Sequence, residues 1–140
     1  MSFFPYLGFN GNCREAMTFY ADVFGARDLQ FMTGADAPPG AMGDDWKDKV
    51  MHSQFTLGGV PLMAADAPPD WFKPQAGVSV FHGAKDKAGA ERIFARLSEG
   101  ATVNMPLGKT FWSDAFGMLT DRFGTNWMIT LAPPGGNYSG

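Results

Sequence analysis

The feature that most constrains the fold is an internal repeat. Read in order, the chain runs strand, helix, three strands, and then does so again, a βαβββ pattern in each half. The last strand of each half repeats in detail: Gly59 is followed four residues on by Met63, and Gly124 four residues on by Met128. A repeat of this length marks two supersecondary units of one kind.

In the first half the clearest element is a hairpin over Lys49 to Asp66. In its first arm Val50, His52, Gln54 and Thr56 alternate with Met51, Ser53, Phe55 and Leu57, so the two sets point to opposite sides of a strand. Gly58-Gly59 is a two-residue turn that accepts positive φ at no steric cost. The second arm, Val60 to Ala65, is almost wholly apolar. The row carrying His52 faces either water or a ligand, and alternation alone does not choose.

Around this hairpin, Phe3 to Phe9 reads as a first or edge strand, with Pro5 near its start. Asn12 with Glu15 has the form of a capping box. Cys13, Ala16, Met17, Tyr20, Val23 and Phe24 then make one apolar stripe of a helix that stops at Gly25. Arg27 to Thr33 is the second strand. Gly34 to Asp48, rich in Gly, Pro, Ala and Asp, is a long loop of the kind that carries function or mobility, with Trp46 placed to close over a pocket. Ala67 to Gln75 is a Pro-rich connector. In the second half, Ala76 to His82 is a strand, and Asp86 caps a helix whose stripe is Ala90, Ile93, Phe94 and Leu97. Strands over Ala101 to Leu107, Thr110 to Asp121 and Thr125 to Leu131 follow, the last two joined by a tight turn at Arg122-Phe123-Gly124. Residues 133–140 have the composition of a loose tail.

Composition narrows the function. The 140 residues are 45% hydrophobic and 18% charged, enough apolar material for a core. The net charge is -3 and no basic run occurs, so nucleic acid has no electrostatic footprint. No apolar stretch is long enough to span a bilayer, and the N-terminus has no signal-peptide pattern. Cys13 is the only cysteine, which excludes an internal disulfide and fits a reducing cytoplasm. The thirteen Phe, four Trp and nine Met exceed what caps and turns use; they fill the core or line an apolar pocket.

The stretches Tyr6 to Gly25, Met51 to Asp66 and Phe111 to Thr130 together resemble the vicinal oxygen chelate superfamily (glyoxalase I, extradiol dioxygenases, bleomycin-resistance proteins), and within it the PhnB-like, demethylubiquinone methyltransferase-like branch. The resemblance implies one α+β, glyoxalase-like domain over residues 1–140, of two tandem βαβββ modules with curled sheets around a concave cavity. The modules would be 1–66 and 76–132, joined by the linker 67–75. It implies a homodimer and leaves the reaction open.

Metal-dependent members of that superfamily hold a divalent ion with His, Gln or Glu on the first and last strands of each module. Here the last-strand positions fall on Met63 and Met128, and a thioether is a poor ligand for Zn, Mn or Fe(II). The first-strand positions fall near Pro5 to Leu7 and near Ser79, without imidazole or carboxylate. The three Glu (Glu15, Glu91, Glu99) lie on helices. The expectation is no metal and no cofactor. His52 and His82 with Asp66 or Asp114 are the remaining set from which another metal site can be drawn.

No G-x-G-x-x-G loop or P-loop opens a helix, so the sequence has no Rossmann-type site for a methyl donor. Two functions stay open. One is binding of a small, flat, apolar molecule, with His52 and Gln54 as polar anchors and Met63, Phe111, Trp112, Phe116 and Met128 as walls. The other is catalysis with His52 as general base, assisted by Asp114 or Asp66. Cys13 at a helix start is a further nucleophile candidate.

Overall fold

The computed structural model describes residues 2–41 and 43–132; the expected tail 133–140 lies outside them. The chain divides between Lys73 and Pro74 into two units, inside the Pro-rich connector. Each holds a four-stranded mixed sheet that is not closed, with one long helix. The architecture is α+β with a repeated module, the glyoxalase-like arrangement expected.

The first unit contains β1 (Tyr6–Phe9), α1 (Cys13–Phe24), β2 (Gln30–Thr33), β3 (Val50–Leu57) and β4 (Val60–Asp66). The sheet order is β1-β4-β3-β2, with β1 parallel to β4 and the other pairs antiparallel. The stripe on α1 is buried at Cys13, Ala16, Met17, Tyr20 and Val23. It meets the sheet face that carries Leu7, Phe9, Ser53, Phe55, Leu62 and Ala64, all buried. Gly58 and Gly59 make the β3–β4 turn with φ of 59° and 80°, the left-handed pair that a two-residue hairpin demands.

Two local expectations are corrected. Asn12 makes no capping hydrogen bond from its side chain. The cap comes from Asp66, at the far end of β4, whose Oδ1 accepts the N–H groups of Gly11 and Cys13 at 3.0 Å each. Val50 leaves the polar row. Met32 pairs with His52 but Thr33 with Val50, so β3 carries one extra residue against β2. That bulge turns Val50 inward, where it is 1% exposed and its N–H donates to Asp66 Oδ2 at 2.9 Å.

The segment from Gly34 to Asp48 is not featureless. It forms two short 3-10 turns, Gly34–Asp36 and Asp44–Trp46. Gly34 N–H donates to the Lys49 carbonyl and Ala35 N–H to that of Lys47, pinning the loop's base.

The second unit contains β5 (Val80–Ala84), α2 (Lys87–Leu97), β6 (Thr102–Gly108), β7 (Phe116–Thr120) and β8 (Asn126–Leu131). The order β5-β8-β7-β6 repeats that of the first sheet, again with the outer β5–β8 pair parallel. Asp86 caps α2 as expected, accepting from Gly89 N–H at 2.7 Å. Trp127, Ile129 and Leu119 fill the core beneath α2. A Cβ on Gly117 would meet the Phe94 ring at 2.7 Å, so α2 lies as close to the sheet as a side chain-free position allows. The strand expected from Thr110 is shorter: residues 109–115 form a loop. There Thr110 N–H donates to the Ser113 carbonyl and Ser113 N–H returns to Thr110 Oγ1. These local hydroxyl bonds outcompete a ladder.

Candidate functional site

The register of each sheet sets one residue from every strand in a row across the face turned away from the helix. In the first unit the row is Tyr6, Met63, Gln54 and Gln30, because Tyr6 pairs with Met63, Met63 with Gln54, and Gln54 with Gln30. In the second it is Phe81, Met128, Met118 and Met105. The two methionines singled out in the sequence are thus equivalent, each beside an aromatic residue of the parallel outer strand. The rows differ in their last two positions, which are the amides Gln54 and Gln30 on β3 and β2 of the first sheet and the thioethers Met118 and Met105 on β7 and β6 of the second.

His52 stands next to this row, two residues from Gln54 on the same side of β3. Its Nδ1 lies 3.0 Å from the Tyr6 hydroxyl and its Nε2 lies 2.9 Å from Gln54 Oε1. The Tyr6 and His52 rings are 5.7 Å apart between centroids. Since Oε1 can only accept, Nε2 carries the proton. In the neutral imidazole Nδ1 is then the acceptor, and Tyr6 donates its O–H to it. Partial burial raises the Tyr6 pKa, with the Cys13 side chain adding to the rise, so the phenol keeps its proton. Met63 and Gln54 are half-buried and Tyr6 is 53% exposed. At the outer end of β3, Thr56 donates from both N–H and Oγ1 to the exposed Asp28 carboxylate, and these bonds lower its pKa.

His52, Gln54 and Met63 therefore come together as the sequence suggests. Tyr6 was missed, although the Met63–Met128 repeat, carried back to the first strand of each half, pairs it with Phe81. The carboxylate expected to assist His52 is not Asp66. That side chain is buried, and its two oxygens take the N–H groups of Gly11, Cys13 and Val50.

In the second unit Trp112 packs edge-on against Phe111 at 4.7 Å and against Phe116 at 5.3 Å. Phe116 is buried, but Phe111 is 98% and Trp112 54% exposed, because both ride the loop 109–115 and not a strand. Asp114 is exposed on the same loop. It does not sit in the buried aromatic setting that would make it an acid or base. It borders a cavity of about 420 Å³ with Lys87, Glu91 and Lys109. His82 pairs with Ile129 on the helix side of its sheet, where burial lowers its pKa.

Cys13 is fully buried with Sγ 3.5 Å from Ser53 Oγ. Burial pushes its thiol up to about 11; Asp66 adds to the rise, while the Ser53 hydrogen bond and Arg14 oppose it. It is a packed core thiol and not an activated nucleophile. Among the described residues no three His, Cys, Asp or Glu side chains group to hold a metal ion. Among them, too, no helix is long and apolar enough to cross a membrane.

A sequence profile of the family described as 3-demethylubiquinone-9 3-methyltransferase matches residues 1–130. The chain belongs to that family. Two solved structures extend the likeness over its length. Protein PA1353 from Pseudomonas aeruginosa is 44% identical, with a TM-score of 0.85, over 94% of this chain and 97% of that one. The PhnB protein from Bacillus cereus is 28% identical, with a TM-score of 0.74, over 94% of this chain and 100% of that one. The fosfomycin resistance protein FosX from Mesorhizobium loti is 12% identical, over 95% of this chain and 92% of that one. Its TM-score of 0.57 shows the shared fold alone. The PhnB-like membership expected from the sequence therefore holds, with a glyoxalase-like fold, and it leaves the reaction unassigned.

Proposed function

We propose that this member of the 3-demethylubiquinone-9 3-methyltransferase family binds a small, flat, oxygenated aromatic molecule on the face of its first sheet turned away from α1. The observation that carries the reading is the hydrogen-bonded chain Tyr6–His52–Gln54 beside the half-buried Met63 thioether. A thioether offers a soft, polarisable contact to a ring, and the amide and hydroxyl fix its oxygens. The family description names a demethylubiquinone, a ring of that chemical class.

The reading stops at binding. Helix N-termini hold the phosphates of nucleotide-type cofactors through their free N–H groups. Here Asp66 takes those of Gly11 before α1 and Cys13 at its start, and Asp86 takes that of Gly89 in α2. Neither start is open in the way a Gly-rich loop is. The ligand positions that the resemblance implies fall on Met63 and Met128, and a thioether is a poor ligand for Zn, Mn or Fe(II), so no metal enters this reading.

The test is titration of protein carrying 13C-methyl methionine with a water-soluble demethylubiquinone analogue. Saturable shifts of the Met63 methyl and the Gln54 amide are expected, weakened about tenfold in Gln54→Ala. A shift pattern that leaves this face untouched overturns the reading.

The 3.0 Å Tyr6–His52 contact also favours a second reading, in which Tyr6 takes a ligand proton while its own passes to His52 Nδ1, so that His52 is a general base acting through the phenol. Its partner would be a phenol and not a carboxylate. Solvent deuterium entering an enolisable ligand, and failing to enter with His52→Ala, would support it.

A further inference from the structure

We propose that His52 sets the hydrogen-bonding polarity of this face, so that the ligand carries an acceptor at its Gln54 end and a donor at its Tyr6 end. The inference rests on the binding reading above and deepens it to a substrate class.

Gln54 Oε1 is spent on His52 Nε2–H at 2.9 Å, which leaves its NH₂ turned away from the imidazole. Among the described residues that NH₂ has no protein partner, so it is a donor with two protons to place. The Tyr6 proton is spent on Nδ1 at 3.0 Å, which leaves the phenolic oxygen with lone pairs only. The two free groups lie on opposite edges of the imidazole. They are therefore too far apart for neighbouring oxygens of a ligand, and suited to groups on opposite sides of a six-membered ring. The class is a para-disposed hydroxy-carbonyl aromatic.

The environment of His52 keeps this polarity simple. Tyr6 faces it from β1, Met63 and Ala65 from β4, Met32 from β2 and Gln54 from its own strand. None of these carries a charge, and Tyr6 is the only titratable group among them. Asp66, the acid of β4, is turned to the α1 side.

The experiment compares 4-hydroxybenzaldehyde with 4-methoxybenzaldehyde on the intact protein by NMR titration, following the Gln54 amide and Met63 methyl. The expected result is tighter binding of the hydroxy compound, by about tenfold, as one hydrogen bond gives. Tyr6→Phe should bring the two within about twofold while the Gln54 shifts persist. Equal binding of both aldehydes at the Gln54 face overturns this inference and leaves the binding reading standing. Failure of both aldehydes, and of the quinone analogue, to shift that face overturns the binding reading and this inference with it.

Discussion

Asp66 Oδ1 accepts the backbone N–H of Cys13 at 3.0 Å, across 53 residues of sequence. One carboxylate at the end of β4 thereby fixes the start of α1, and its second oxygen fixes the start of β3 at Val50. The helix, the bulge and the sheet of the first unit meet at this side chain.

Replacing it tests that role. Asp66→Ala leaves three N–H groups without their acceptor, two of them buried. A loss of about 3 kcal/mol is expected from one helix cap and unsatisfied donors together. Asp66→Asn keeps one acceptor oxygen and should cost less. Urea denaturation followed by circular dichroism gives both values. A loss under about 1 kcal/mol for the alanine variant would show that water replaces the carboxylate.

Gly34 is held by space and not by backbone angle. A Cβ there would stand 2.0 Å from the Trp46 carbonyl oxygen, and backbone cannot step aside as a side chain can. Gly34→Ala should destabilise by about 1–3 kcal/mol and alter the Trp46 environment. Tryptophan fluorescence during denaturation reads both, and an unperturbed variant would mean the loop repacks freely.

His82 gives a pH dependence with a definite sign. Burial lowers its pKa in the folded state, so the unfolded chain binds the proton more readily. Stability contributed by the neutral form is therefore present above the ordinary histidine value. It falls as pH drops through that value toward the lowered one. His82→Gln should flatten the stability profile in that window. A wild-type profile already flat there would contradict the burial argument.

Cys13 should resist thiol reagents. With its pKa raised to about 11 and its sulfur buried, little thiolate exists at pH 8. Modification by a disulfide reagent should then follow global unfolding. A fast reaction in native buffer would show that the helix start opens locally.

Much of this fold is legible in the sequence because much of it is local. The apolar stripes of α1 and α2 have helical period, Asp86 sits three residues from the N–H it caps, and Gly58-Gly59 sets its own turn. Met63 and Met128 are found as equivalents because the repeat preserves their distance from a turn. These features depend on neighbours a few residues apart, whose geometry the backbone dictates.

What tertiary structure decided lies between strands distant in sequence. Asn12 has the right residue type for a cap, yet Asp66 takes the place, since a rigid strand end delivers its carboxylate. Tyr6 reaches His52 across 46 residues only because β1 pairs parallel with β4. Val50 turns inward through a bulge whose extra residue shows only against β2, and Phe111 and Trp112 leave the strand their aromatic character suggests. For the helix cap, the Tyr6–His52 contact and Val50, the sequence by itself determined which element forms; for Phe111 and Trp112 it did not. Register decided which side chains meet, because pairing one residue further along would turn every contact to the other face.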